Sequence, residues 1–413
     1  MRTVLCLGLL ALSVFVLASC RANSPVVVPA APVSLRVATF NTSLYATEAG
    51  GLLARLQAGD ERARSVAAVI QRQRPDIVLL NEFDYDAAGE AAAVFQRDYL
   101  GVGQFGEAAI EYPYSYRAPV NTGEPSGLDL DGNGRVATAG RDRGDDAWGY
   151  GLHPGQYGML VLSRHPIDAA AARSFRLLRW STMPGALEPT DPETGEAWYP
   201  PQVWRQLRLS SKSHWDLPID TPLGRLHLLA AHPTPPVFDG PERRNAARNH
   251  DEVRLWAEYL SPGDKPWLCD DQGRCGGLPE QERFVIVGDY NADPADGSSL
   301  PGTIHQLLEH PRVLRYATPG SEGAVVDAGD NAANARHRSA PAHDTANFGP
   351  RNGNFRVDYV LPSVGLDVVD SGVFWPAPGQ PGHDWLEATD HRMVWVDIAV
   401  VGGTSVPNDA NRD

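Results

Sequence analysis

The chain has 413 residues and a formal net charge of −15. So acidic a surface does not draw polyanions by long-range attraction, which argues against a nucleic-acid coat protein. It leaves a nuclease open, because a bound metal supplies positive charge locally, and the length suits a two-sheet α/β enzyme.

Arg2 precedes an apolar stretch from Val4 to Leu17 that ends in Leu17-Ala18-Ser19-Cys20. This reads as a secretory signal, and it is too short for a membrane span, which takes about 20 residues. The small residues before Cys20 resemble a bacterial lipobox, so cleavage before Cys20 and acylation of its thiol are expected; an ordinary signal peptide with a chance cysteine is the alternative. Stable anchoring takes more than one acyl chain. Residues 1–19 are thus assigned as signal peptide, 20–33 as a lipidated tether rich in Pro, Ala and Val, 34–401 as one folded domain, and 402–413 as a loose polar tail. The expected location is the bacterial cell envelope, outside the cytoplasm.

Leu35 to Phe40 alternates and predicts a first strand ending at Asn41. Asp60 caps a predicted helix to about Arg74, with Val66, Val69 and Ile70 on one face and Pro75 as its stop. Ile77 to Leu80 is a continuous apolar run, as in a strand buried on both faces. Gly101 to Tyr157 reads as a long loop, and Met159 to Leu162 as the next strand. Leu207–His214 and Leu226–Ala231 are expected to pair around a turn at 218–224. A helix is expected over 242–260, with Val253, Trp256, Ala257 and Leu260 as its apolar face. Strands follow at Phe284–Val287, Val357–Leu361 and Met393–Ile398.

Acids and amides recur where these strands end, and strand ends hold loop chemistry rigidly. Val287-Gly288-Asp289-Tyr290-Asn291 places Asp and Asn two residues apart, on one side if the strand persists. Glu82 follows four apolar residues and Asn81. Asp390-His391 sets a hard oxygen ligand beside a group that titrates near neutrality. Asp358 is an acid inside an apolar strand and needs a partner, for which a protonated histidine is suited.

In their order, Asn41, Asn81-Glu82, Ser163-Arg164-His165-Pro166, Gly288-Asp289-Tyr290-Asn291, Asp358-Tyr359 and Asp390-His391 resemble the endonuclease/exonuclease/phosphatase superfamily from Leu35 to Val400. The resemblance implies a four-layer α/β sandwich, two packed mixed β-sheets flanked by helices. It implies a phosphoesterase that uses Mg²⁺ or Mn²⁺, with Glu82 as principal metal ligand and Asn41 and Asp390 close by. Asp289 would orient or deprotonate the attacking water, Asn291 would hold water or phosphate, and His391 would serve the phosphate or proton transfer, its tautomer fixed by Asp358. His232 would protonate the leaving group, and Tyr157 would contact phosphate. Lys212, His214 and Arg164 are candidates for substrate binding, the first two through their alternate-residue spacing.

Two further sites stand apart. Asp129-Leu130-Asp131-Gly132-Asn133-Gly134 matches the start of a calcium loop, lacks the glutamate at its twelfth position, and is a candidate for a structural Ca²⁺ or a plain Gly/Asp turn. Cys269 and Cys275 are expected to form a small disulfide loop, since two thiols without a second pair make a poor zinc site. The protein is expected to act as a monomer on a phosphate ester, with nucleic acid or a lipid head group as candidate substrates, and to meet the membrane through its lipid anchor alone. A surface binder that keeps the fold has no need of the whole set of acids and imidazole. No His-Glu-x-x-His or Gly-x-Ser-x-Gly occurs to support a zinc or serine hydrolase.

Overall fold

The computed structural model describes residues 33–400; the signal segment, Cys20 and the tail from 401 lie outside the described residues. The described residues form thirteen strands in order: β1 Leu35–Leu44, β2 Ile77–Phe83, β3 Tyr114–Tyr116, β4 Met159–Ser163, β5 Arg173–Ser174, β6 His214–Thr221, β7 Gly224–Ala231, β8 Phe284–Asp289, β9 Ala346–Asn347, β10 Asn354–Phe355, β11 Asp358–Pro362, β12 Leu366–Val373 and β13 Val394–Val400. One sheet runs β12-β13-β1-β2-β4-β3 and the other β11-β8-β7-β6-β5, with β9 and β10 paired apart from both.

The continuous apolar runs have a simple cause. Along β2, Ile77 and Leu79 point into the core between the sheets, together with Trp215, Leu217, Ile219, Val285 and Val287. Val78 and Leu80 point the other way, onto Val66, Val69 and Ile70 of the Glu61–Gln73 helix. On the second sheet, Leu229 and Ile286 face Val253, Trp256 and Leu260 of the Arg244–Leu260 helix. Both faces of the central strands are therefore dry, which selects apolar residues at every position. The result is helix, sheet, sheet, helix: the expected four-layer sandwich. Asp60 caps the first of these helices by accepting from the Ala63 N–H at 3.0 Å.

Each sheet has one parallel pair at its centre, β1 with β2 and β7 with β8. The carboxyl ends of these four strands carry Asn41, Glu82, His232 and Asp289. The antiparallel neighbours begin where these end, so Asp358 at the start of β11 stands opposite Asp289. Gly288 lets β8 approach β7 closely where it pairs with Ala231. Its φ is 151°, and a Cβ there would lie 2.0 Å from the Ala231 carbonyl oxygen. Gly288→Ala is expected to cost about 3 kcal/mol or more of stability, read from denaturant unfolding.

One strand differs from expectation. The partner of β7 is His214–Thr221, not 207–214, and the turn is only Pro222-Leu223. Trp215, Leu217 and Ile219 supply the inward face, whereas Leu207 and Leu209 join the helix-side core outside any strand. Pro218 sits within β6, its carbonyl accepting from the Asp168 N–H.

Candidate active site

The strand ends open into one cleft of about 870 Å³, lined among others by Glu82, Tyr157, Asp289, Asn291, Asp390 and His391. Among the described residues, eight non-glycine residues have positive φ, and five of them (Ser43, Glu82, Tyr157, Phe238 and Asn291) line this cleft. Backbone held in the left-handed region costs energy and persists where the surroundings enforce it, as at functional sites.

Asp289 is the hub. Its Oδ2 accepts from Asn41 Nδ2 at 3.0 Å, and His232 Nε2 and His391 Nε2 approach it at 3.4 and 3.6 Å. Its Oδ1 accepts from the Asn291 N–H at 2.9 Å. Burial pushes this carboxyl up, but the two imidazoles and the Asn41 amide outweigh burial and hold it well below the usual range. His391 continues the chain, with Nδ1 2.9 Å from Asp358 Oδ2. Burial alone would pull the imidazole down; Asp358 and Asp289 reverse that and raise it to about 10. His232 goes the other way, to about 4, because it is buried and feels Lys212.

Glu82 stands apart from this network. Among the described residues no group donates a hydrogen bond to its carboxylate, and burial pushes it up to about 7 against the pull of His391 and Lys212. An acid in a cleft with no partner fits a cation ligand, and a carboxylate suits a hard ion such as Mg²⁺. Asp390 is half exposed in the same cleft, 4.0 Å from His391 Nε2. Asp289, Asp358 and His391 also bring ligand atoms within 4.8 Å of one another. His391 Nδ1 and Asp358 Oδ2 are already paired at 2.9 Å, whereas no group among the described residues donates to Glu82, so Glu82, with Asp390 in the same cleft, fits a metal better.

Several expected residues lie elsewhere. His214 does not face substrate: it is buried, Nδ1 on Ser210 Oγ at 2.6 Å and Nε2 on the Glu252 carbonyl at 2.9 Å. Arg164 follows β4, which runs antiparallel to β2, so it sits at the far end from Glu82 and pairs with Asp76 at 3.4 Å. Asn41 and His232 are buried against Asp289, with Asn41 Nδ2 at 3.0 Å and His232 Nε2 at 3.4 Å from its Oδ2. Asn41 Oδ1 takes the Ser43 N–H at 3.2 Å and keeps one lone pair. Lys212 is buried near Glu82, Asp289 and Glu252, and burial lowers its pKa.

The loop of Asp129, Asp131 and Asn133 is a hydrogen-bonded turn. Asp129 accepts from the N–H groups of Gly132, Asn133 and Gly134, and Asn133 Oδ1 takes the Arg135 N–H. Asp131 is satisfied by Asn133, and Asp146, brought alongside, by Leu130 and Ala137. Asp129, Asp131 and Asp146 also bring carboxylate oxygens within 4.8 Å of one another, a spacing that suits a cation. Cys269 and Cys275 are joined by a disulfide.

Sequence reasoning missed the supports. Asn81 ties the sheets together: its Oδ1 takes the Asp289 N–H at 3.3 Å and its Nδ2 donates to the Ala231 carbonyl at 3.4 Å. Thr345 Oγ1 donates to Asp358 at 2.8 Å, and Asp84 takes the Tyr157 N–H at 3.0 Å. Tyr45 lines the cleft with its ring 4.6 Å from that of Tyr157. Only the position of Asn81 beside Glu82 was visible as a signal.

Two packed mixed sheets whose strand ends set an unpaired glutamate in one cleft with an Asp–His–Asp chain form an α/β sandwich with a site suited to a cation beside acid–base groups. Residues 38–391 match the model of the Endonuclease/Exonuclease/phosphatase family, and the chain belongs to that family. At family level it is a metal-dependent phosphoesterase. An endonuclease/exonuclease/phosphatase from Beutenbergia cavernae is similar in structure at 18% identity and TM-score 0.49, covering 90% of this chain and 72% of that one. Sphingomyelinase C from Streptomyces griseocarneus is 18% identical, with TM-score 0.45 and coverage of 88% and 99%. A beta toxin mutant from Staphylococcus aureus with bound magnesium ions is 12% identical, with TM-score 0.44 and coverage of 89% and 100%. None of the curated proteins matches the chain.

Proposed function

We propose that the protein hydrolyses a phosphate ester by attack of water, with Glu82 and Asp390 holding a Mg²⁺ or Mn²⁺ ion and Asn41 offering its spare lone pair. The bound ion would polarise a phosphoryl oxygen and offset charge on the leaving oxygen. Asp289, ionised and fixed from three sides, orients the water and takes its proton. Asn291 holds the water or the phosphate, and Tyr157 borders the phosphate position. His391, kept protonated by two carboxylates, donates to the developing charge. The water oxygen forms the new P–O bond, the bond to the leaving alcohol breaks, and that alcohol takes its proton from His391, which the proton held by Asp289 then replaces. His232 and Asp358 are positioning residues for Asp289 and His391. The reading rests on one observation: the partnerless Glu82 shares a cleft with the Asp289–His391–Asp358 chain.

Purified protein offered plasmid DNA, RNA, sphingomyelin vesicles, inositol phosphates and bis-p-nitrophenyl phosphate with Mg²⁺, Mn²⁺ or Ca²⁺ should hydrolyse at least one. Excess EDTA should remove that activity and added Mg²⁺ or Mn²⁺ restore it; turnover indifferent to EDTA would refute the metal role. The N-terminal reading, export and acylation at Cys20, belongs to the same proposal. It predicts palmitate labelling in an expressing bacterium that Cys20→Ser abolishes.

A further inference from the structure

The chain leaves β7 as His232-Pro233-Thr234-Pro235-Pro236. Proline has no N–H, so the backbone from 233 to 236 offers one donor, that of Thr234. Glu252 of the Arg244–Leu260 helix takes it, with Oε2 2.6 Å from the Thr234 nitrogen. Its other oxygen, Oε1, takes the Ser211 N–H at 2.7 Å and the Ser211 hydroxyl at 3.2 Å. Three residues earlier, on the same helix face, Asn249 Nδ2 donates to the Thr234 and Tyr290 carbonyls at 2.8 and 2.9 Å. Both side chains are fully buried.

These bonds meet the second sheet at the three places that carry its site residues. Ser211 precedes Lys212, Thr234 follows His232 by two residues, and Tyr290 lies between Asp289 and Asn291. Asn291 Nδ2 closes the same region by donating to the Pro233 carbonyl at 3.1 Å.

The side chain at 252 has to end in acceptors alone. The three groups it meets are all donors, so an amide there would turn its NH₂ onto an N–H and leave a buried donor unpaired. A carboxylate meets that demand, and a charge in a dry interior needs an opposite one. Lys212, buried nearby, supplies it. We propose that Glu252 and Asn249 are positioning residues for the hydrolysis, fixing the approach to β6 and the end of β7 so that Lys212 and His232 stay in place around Asp289. This rests on the phosphoesterase reading and adds to it two residues of the helix layer.

The test compares two variants of the purified full chain. Glu252→Gln keeps the size of the side chain, and Glu252→Asp keeps an acceptor-only head on a shorter stem. On bis-p-nitrophenyl phosphate with Mg²⁺, Gln should lower kcat by on the order of 30-fold with KM within about threefold of wild type. Asp should keep more of kcat than Gln, whereas a space-filling role predicts the opposite order. Amide hydrogen exchange in EDTA reads the clamp without turnover. Thr234, the lone amide of 233–236, should exchange about tenfold faster or more in the Gln variant, while the amides of β1 and β2 keep their rates. Wild-type kcat in Gln, Gln above Asp, or unchanged Thr234 exchange would overturn the proposal. Should Gln not fold, Asn249→Ala takes its place: a fall in kcat at constant KM supports the clamp, and an unchanged kcat overturns it. A wild type inert on every ester would sink the phosphoesterase reading, and Thr234 exchange would still judge the clamp.

Discussion

Glu82→Gln should lose metal-dependent turnover by on the order of 10³-fold and yet leave the metal-free protein more stable above pH 7. The two effects share one cause. Burial lifts the Glu82 carboxyl from its usual value to about 7, so ionising it in the empty cleft opposes folding. The penalty is absent below the unfolded-state value, grows as pH rises through the window between 4.5 and 7, and is fully present above it. Gln removes the ionisation at nearly constant shape. Thermal unfolding in EDTA at pH 8 should therefore favour the variant, and the rise in Tm on adding Mg²⁺ should appear only in the native chain. The same coupling makes Mg²⁺ affinity fall as pH drops below about 7, since proton and metal compete for one carboxylate. A Glu82→Gln protein that keeps its Mg²⁺-dependent Tm shift would place the ion elsewhere.

How much of this was legible beforehand depends on whether the signal was local. The buried strands were readable because dryness on both faces writes an unbroken apolar run, as in Ile77-Val78-Leu79-Leu80. Glu82 and Asp289 were readable because a charge at the end of such a run has to meet something polar. Direction was not readable. A short apolar segment carries no mark of which way it runs, so Arg164 read as a substrate-binding candidate, and the antiparallel pairing of β4 with β2 places it at the pole away from Glu82. The alternation argument for Lys212 and His214 failed because β6 begins only at His214, and the two-residue period does not apply before it. Thr345, Asp84 and the bridging role of Asn81 were beyond reach for a different reason: each is a polar side chain whose meaning is a hydrogen bond to a distant part of the chain.

The acid–imidazole chain gives the second large effect. Asp358→Asn should lower turnover by roughly 10²–10⁴-fold and move the alkaline limb of the pH–rate profile downward. His391 is raised to about 10 against burial by Asp358 and Asp289 together. Removing the Asp358 charge leaves Asp289 as the main counterweight, so the imidazole loses its proton at lower pH. If the protonated form serves the phosphate, the native enzyme stays active until pH approaches the folded value and the variant declines earlier. The linkage has a stability signature too. A raised histidine stabilises the fold fully below its unfolded value of about 6.5, and the contribution vanishes as pH passes through about 10. Metal-free wild type should therefore lose Tm across that window, and Asp358→Asn should lose less of it. Titration of the His391 ring by NMR reads the shift without turnover. An imidazole in the variant that still titrates near 10 would mean that Asp289 alone holds the proton and that Asp358 is a structural acid bonded to Thr345.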